Sequence, residues 1–128
     1  IEVKPRYTSV LGRVAVALDE VPGKVIINGY TDNVPIRTAR FPSNWHLSVA
    51  RAQAVSDMIG RSLKSSDRLR AEGRADADPV DSNATAEGRA RNRRVEVVLM
   101  VAPSLRDQEL ATSLGPKEQI VAPGGGKQ

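Results

Sequence analysis

The stretch Arg94-Val95-Glu96-Val97-Val98-Leu99-Met100-Val101 is the strongest structural commitment in this chain. Branched aliphatic residues dominate it, and it reads as a β-strand, residues 94–101. Such a strand has to be covered by something. The cover cannot be aromatic, because Phe, Trp and Tyr make up only 3% of the residues. The core must therefore be built from Val, Leu, Ile and Ala. Two helical patterns supply it. Val10, Leu11, Val14, Ala17, Leu18 and Val21 share one helical face, which Pro22-Gly23 ends. A second helix is expected over residues 45–63, capped by Ser43 or Asn44. Between the helices, residues 24–29 form a strand around Val25-Ile26-Ile27. Residues 31–44, with Pro35 and Pro42, form a loop. After a break at Ser65-Ser66-Asp67 comes a strand over residues 68–73, with Leu69, Ala71 and Gly73 facing inward. Residues 75–83 are loop, and residues 84–92 form a short helix with Asn83 as its N-cap. This alternation of helix and strand predicts an α/β (α+β) sandwich, with helices packed on a small mixed sheet.

At 128 residues the chain suits one domain. The pattern is strong through residue 102 and decays after Pro103. Leu105, Leu110 and Leu114 allow another short helix, and residues 123–126 read as a flexible tail. With no cysteine, disulfides and thiolate metal sites are excluded. No apolar run reaches membrane-spanning length. The 19 basic residues are interleaved with 15 acidic ones, for a net charge of +4. With so few aromatics for base stacking, nucleic acid is not an expected partner.

One residue breaks the pattern. On the second helix Leu47, Ala50, Ala54, Val55 and Met58 define the apolar stripe, and Arg51 lies inside it. A buried guanidinium needs an anion or an opening at the edge of the core. Asp32, just past the strand over residues 24–29, is the nearest candidate, since residues beyond strand ends line clefts in α/β folds. Two readings follow. Either Asp32 and Arg51 pair and tie helix to loop, or they face one pocket, where the carboxylate receives an ammonium and the guanidinium a carboxylate. The only histidine, His46, lacks partners for catalysis or metal binding. Asp76, Asp78 and Asp81 have no calcium-loop frame around them. Arg89, Arg91, Arg93 and Arg94, near Glu87 and Glu96, are expected on a solvated helix, with one arginine reaching a pocket. Trp45 and Phe41 are expected to clamp the loop to the body. With no nucleophile, metal set or acid/base pair, an enzyme is not expected, and neither is a cofactor.

Gly29-Tyr30-Thr31-Asp32-Asn33, Asn44-Trp45-His46-Leu47-Ser48-Val49-Ala50-Arg51-Ala52, then Gly73, Pro79, Asn83 and Gly88-Arg89-Ala90-Arg91-Asn92-Arg93-Arg94-Val95-Glu96 resemble the OmpA/MotB C-terminal, peptidoglycan-associating family. The insertion from Pro35 to Trp45 looks most like the periplasmic extension of TssL (ImpK/DotU type) in type VI secretion. Flagellar MotB-type domains resemble it nearly as well around Ser43-Asn44-Trp45. The resemblance implies a βαβαβ-type domain over residues 1–102, its first strand partial or upstream of Ile1, and a partly flexible tail over residues 103–128. It implies non-catalytic binding of the peptidoglycan stem peptide at meso-diaminopimelate. Asp32 would hold the ammonium and Arg51 the carboxylate, with Asn44 lining the pocket and Arg93 flanking it. It further implies a periplasmic domain of an inner-membrane-anchored protein, with peptidoglycan and other inner-membrane components as partners and a homodimer left open. A flagellar stator anchor, or a scaffold that no longer binds the wall, are the alternatives. Tyr30 departs from the His common in the family, and the loop between Asp32 and Arg51 is longer than the OmpA type.

Overall fold

The computed structural model describes residues 4–101 and the backbone of residues 117–122. Helix α1, Pro5–Asp19, begins five residues earlier than its apolar stripe, because Pro5 occupies the first turn, where no amide donor is needed. Strand β1 is Gly23–Gly29. Helix α2, Asn44–Gly60, is capped by Ser43, whose hydroxyl accepts from the His46 amide at 3.3 Å. A short 3-10 turn, Ser66–Arg68, leads into β2, Leu69–Gly73. Helix α3, Ala86–Asn92, starts later than the sequence suggests, with Thr85 rather than Asn83 as its cap; Gly88 N donates to Thr85 Oγ1 at 2.9 Å. Strand β3 is Val95–Val101 and β4 is Lys117–Ala122.

The sheet order is β2-β1-β3-β4, with β1 parallel to β2 and antiparallel to β3. A parallel pair requires a crossover, and α2 provides it between β1 and β2. The expected sandwich of helices on a small mixed sheet is the architecture observed. Strand β4 was not anticipated: it pairs antiparallel with β3, from Val95↔Ala122 to Met100↔Lys117. Three of its six residues, Lys117, Glu118 and Gln119, are polar, which hides an edge strand from a search for apolar runs. The helix expected around Leu105, Leu110 and Leu114 and the tail at residues 123–126 lie outside the described residues.

Alternate residues of the central strands, Val25 and Ile27 on β1 and Val95, Val97 and Leu99 on β3, point to the helices. Leu11, Ala15 and Leu18 of α1 and Ala52, Val55 and Ile59 of α2 meet them. The buried face of α2 is rotated from the predicted stripe. Leu47, Ser48, Arg51, Ala52, Val55, Ser56 and Ile59 are buried, while Ala50, Ala54 and Met58 sit at its margin. Small residues at positions 48, 52 and 56 let the helix lie close to the sheet, and a search for bulky apolar side chains passes over them.

Arg68 closes the far end of the fold. Its guanidinium donates to Gly23 O at 2.7 Å, Leu18 O at 2.8 Å and Val21 O at 2.6 Å. It thereby gathers carbonyls from the end of α1 and the turn into β1 onto one charged donor; Leu18 O also accepts from Val21 N at 3.2 Å. Arg68→Ala is expected to lower stability by about 2–3 kcal/mol in urea denaturation, since three acceptors lose a charged donor together. Arg68→Lys should recover less than half of that, because an ammonium cannot reproduce the planar fork. A lysine variant as stable as wild type would refute this account.

Candidate functional site

The site lies where β1 and β2 end. Gly29 and Gly73 are paired in register across these strands. A Cβ on Gly29 would stand 2.1 Å from Ser48 O, and one on Gly73 2.6 Å from Ser48 Oγ. Two glycines side by side thus admit the backbone of α2 at Ser48. Ser48 Oγ accepts from Ala75 N at 3.1 Å and donates to Trp45 O at 2.8 Å, stitching α2 to the loop after β2. Beyond β1 the chain stays held on both sides. Tyr30 N donates to Arg94 O at 2.8 Å and Thr31 N to Ala75 O at 2.7 Å. Asp32 therefore leaves the sheet at a fixed point.

The structure brings Asp32, Asn44, Arg51 and Arg93 together at this end of the sheet. Asp32 and Arg51 are 9% and 2% exposed. Asp32 Oδ1 accepts from Val34 N at 2.9 Å, and Oδ2 from Arg93 Nη1 at 2.7 Å. Asn44 Nδ2 donates to Val34 O at 3.0 Å and, more weakly, to Asp32 O at 3.5 Å, so it fixes the loop that carries Asp32. Arg51 Nη1 donates to Tyr30 O at 3.2 Å. Its Nη2 is buried and has no hydrogen-bond partner among the described residues. Among the described residues the ion pair of Asp32 is with Arg93, not with Arg51. The simple tie of helix to loop through an Asp32–Arg51 bridge is thus not what the fold builds. Burial pulls the Arg51 pKa down to about 10, the Arg93 charge pulls in the same direction, and Asp32 opposes both. Counting Asp32, Arg51 and Arg93, the cluster carries one positive charge in excess.

The other arginines divide differently from the expected solvated helix. Arg91 is exposed and pairs with Asp81, and Arg89 Nη1 donates to Asn83 O at 2.9 Å. Arg94 is instead buried. It pairs with Glu96 at 2.6 Å, donates to Asp78 O at 2.8 Å and lies 3.8 Å over the Tyr30 ring. These two alternate residues point to the sheet face away from the helices, an orientation that counting charges in a motif does not reveal. A cavity of about 610 Å³, lined by Asn28, Tyr30, Glu72, Arg94 and Glu96 among others, lies on that face rather than at Asp32 and Arg51. Nor does Trp45 act as a clamp: it is 54% exposed, edge-on to His46 at 5.2 Å. The loop is closed on itself instead, Thr38 N donating to Phe41 O at 3.0 Å and Phe41 N to Thr38 Oγ1 at 2.9 Å. No cluster of three or more possible metal ligands occurs among the described residues. The signals missed in the sequence were Ser48, the Val34 amide and the Tyr30 carbonyl. Two of these are backbone groups, which carry no side-chain signature.

A mixed sheet with a βαβ crossover, and buried charges gathered where its parallel strands end, define a small α/β domain with a charged cluster at one end of its sheet. The OmpA family model matches residues 1–93, and the chain belongs to that family. It is 46% identical over 80 residues to motility protein B of Bacillus subtilis, covering 62% of this chain and 31% of that protein. It is 41% identical over 96 residues to the peptidoglycan-binding protein ArfA of Mycobacterium tuberculosis, covering 74% of this chain and 28% of that one. The chain thus spans about a third of the length of such relatives. Among solved structures, the cell wall anchor of the T6SS from Pseudomonas aeruginosa is 49% identical. It has a TM-score of 0.71 and covers 77% of this chain and 69% of that one. The C-terminal domain of Helicobacter pylori MotB, 22% identical with a TM-score of 0.72, covers 87% and 84% and shares the fold.

Proposed function

We propose that this is a non-catalytic peptidoglycan-binding domain. It recognises the meso-diaminopimelate end of the stem peptide and anchors the inner-membrane complex of a type VI secretion system to the cell wall. The observation that carries the reading is Arg51, a buried guanidinium with an unpartnered Nη2 next to a buried carboxylate. Leaving a charged donor unpaired in a core is costly, and a ligand carboxylate removes that cost. The free end of diaminopimelate adds an ammonium for Asp32, and Asn44 and Arg93 form the walls. Recognition is charge-assisted and no bond is cleaved. Family membership and the 49% identity to a T6SS cell wall anchor support the wall-anchoring role. A place in the periplasm, on a protein whose membrane segment lies elsewhere, follows from that role. No helix among the described residues is long and apolar enough to cross a membrane. Other inner-membrane components of the machine are the further partners.

The second reading is a flagellar stator anchor, favoured by the 46% identity to motility protein B. Both share the same ligand chemistry. A scaffold without wall binding would be favoured by Asp32 and Arg51 closed on each other with no accessible slot; no bond joins the two, but Arg51 is 2% exposed and Asp32 pairs with Arg93, so the titration below decides.

Calorimetric titration with a muropeptide ending in meso-diaminopimelate tests the ligand. Binding by wild type, lost in Asp32→Ala and Arg51→Ala, is expected. A folded wild-type domain that ignores the muropeptide would refute the reading.

A further inference from the structure

Both oxygens of Asp32 are already engaged in the free domain, one by the Val34 amide and one by Arg93. A ligand ammonium therefore meets a carboxylate whose charge a guanidinium already balances, although each oxygen keeps a lone pair. It competes for Asp32 with a guanidinium held at 2.7 Å, and two cations on one carboxylate repel each other. Arg93 is the more exposed partner of that pair, with 27% of its side chain accessible against 12% for Asp32, and Arg51 beneath them is 2% exposed. The Arg93 side chain is also near enough to Arg51 for its charge to be felt there.

We propose that Arg93 is an internal substitute for the ligand's ammonium: it holds Asp32 in the free domain and moves onto the ligand carboxylate, beside Arg51, on binding. This rests on the diaminopimelate reading and adds a source of selectivity to it. A ligand bringing only an ammonium exchanges one cation for another on Asp32. It leaves two neighbouring guanidiniums without an anion. A ligand bringing only a carboxylate leaves Arg93 on Asp32 and Arg51 covered. A zwitterionic end, with ammonium and carboxylate on one carbon, satisfies Asp32 and gives both guanidiniums an acceptor that each can grip through paired N–H donors. Arg93 thus rejects stem peptides that end in a lysine side chain or an amidated diaminopimelate, because neither offers that carboxylate.

The test compares wild type and Arg93→Gln for three muropeptides: meso-diaminopimelate, its side-chain amide, and lysine. Wild type should bind the first and discriminate against the other two. In Arg93→Gln, Asp32 is open to any ammonium. Affinity for the lysine and amidated ligands should rise, and discrimination should fall by about tenfold, the scale of one charge-assisted hydrogen bond. An unchanged ratio, whether both affinities fall, rise or stay, would overturn the exchange and leave Arg93 a simple wall of the pocket. Failure of folded wild type to bind any of the three would overturn the diaminopimelate reading itself, and the exchange with it.

Discussion

Arg51→Met is expected to raise the stability of the domain by about 1–2 kcal/mol while abolishing its binding of the stem peptide. The two effects have one origin. The Arg51 guanidinium is buried with one nitrogen unpaired among the described residues, and burial depresses its pKa to about 10. A basic group whose folded pKa lies below its unfolded value destabilises the fold while it is charged. That cost is fully present at neutral pH and is relieved only as pH rises through the folded pKa, because there the unfolded chain binds more protons. Methionine fills a similar volume without charge, and replacing buried charged groups by well-packed apolar ones is often stabilising by about 1–4 kcal/mol. Two losses reduce the gain: Tyr30 O loses its donor at 3.2 Å, and Asp32 loses a favourable neighbour. Chemical denaturation alongside muropeptide titration measures both effects. A variant that is less stable than wild type would mean that Arg51 is a structural tie after all.

Arg51 was also the most legible residue in the sequence. A charge within an apolar helical stripe stands out at any boundary error, and the rotated face of α2 still contains it. Helices α1 and α2 and the two inner strands, β1 and β3, were legible for the same reason, since each carries bulky aliphatic residues at the period of its element. What escaped notice lacks such a signature. Strand β4 is an edge strand with polar residues at half its positions. Its pairing with β3 is settled by register. The approach of α2 to the sheet depends on what is missing, the Cβ atoms of Gly29 and Gly73 and the bulk absent at Ser48, Ala52 and Ser56. The partner of Asp32 is 61 residues away in sequence. Arg93 reaches it because the Tyr30 amide pairs with the Arg94 carbonyl and sets β3 beside the end of β1. Three neighbouring arginines then go to three different places: Arg91 to Asp81, Arg93 to Asp32 and Arg94 to the opposite sheet face. A reading based on charge clusters merges them.

Gly29→Ala should be the most damaging single-methyl substitution at the site, lowering stability by about 3 kcal/mol or more and the unfolding temperature by roughly 10–20 °C. The added Cβ would lie 2.1 Å from Ser48 O and 3.1 Å from Ala52 N. Both are backbone atoms of α2, so no side-chain rotation relieves the clash and the helix itself must move. That helix carries Asn44, which fixes the Asp32 loop, and Arg51, which reaches Tyr30 O. The variant should therefore bind the stem peptide weakly even at temperatures where it remains folded. Gly12→Ala is the control. Its Cβ meets nothing within 4 Å on α1, and alanine in an open helical position should add about 0.5–1 kcal/mol through helix propensity. The same chemical change thus has opposite signs at two glycines, and thermal unfolding followed by circular dichroism separates them. If Gly29→Ala melted within a few degrees of wild type, the glycine contact would not be what sets the distance between α2 and the sheet. The position of Arg51 would then need another cause.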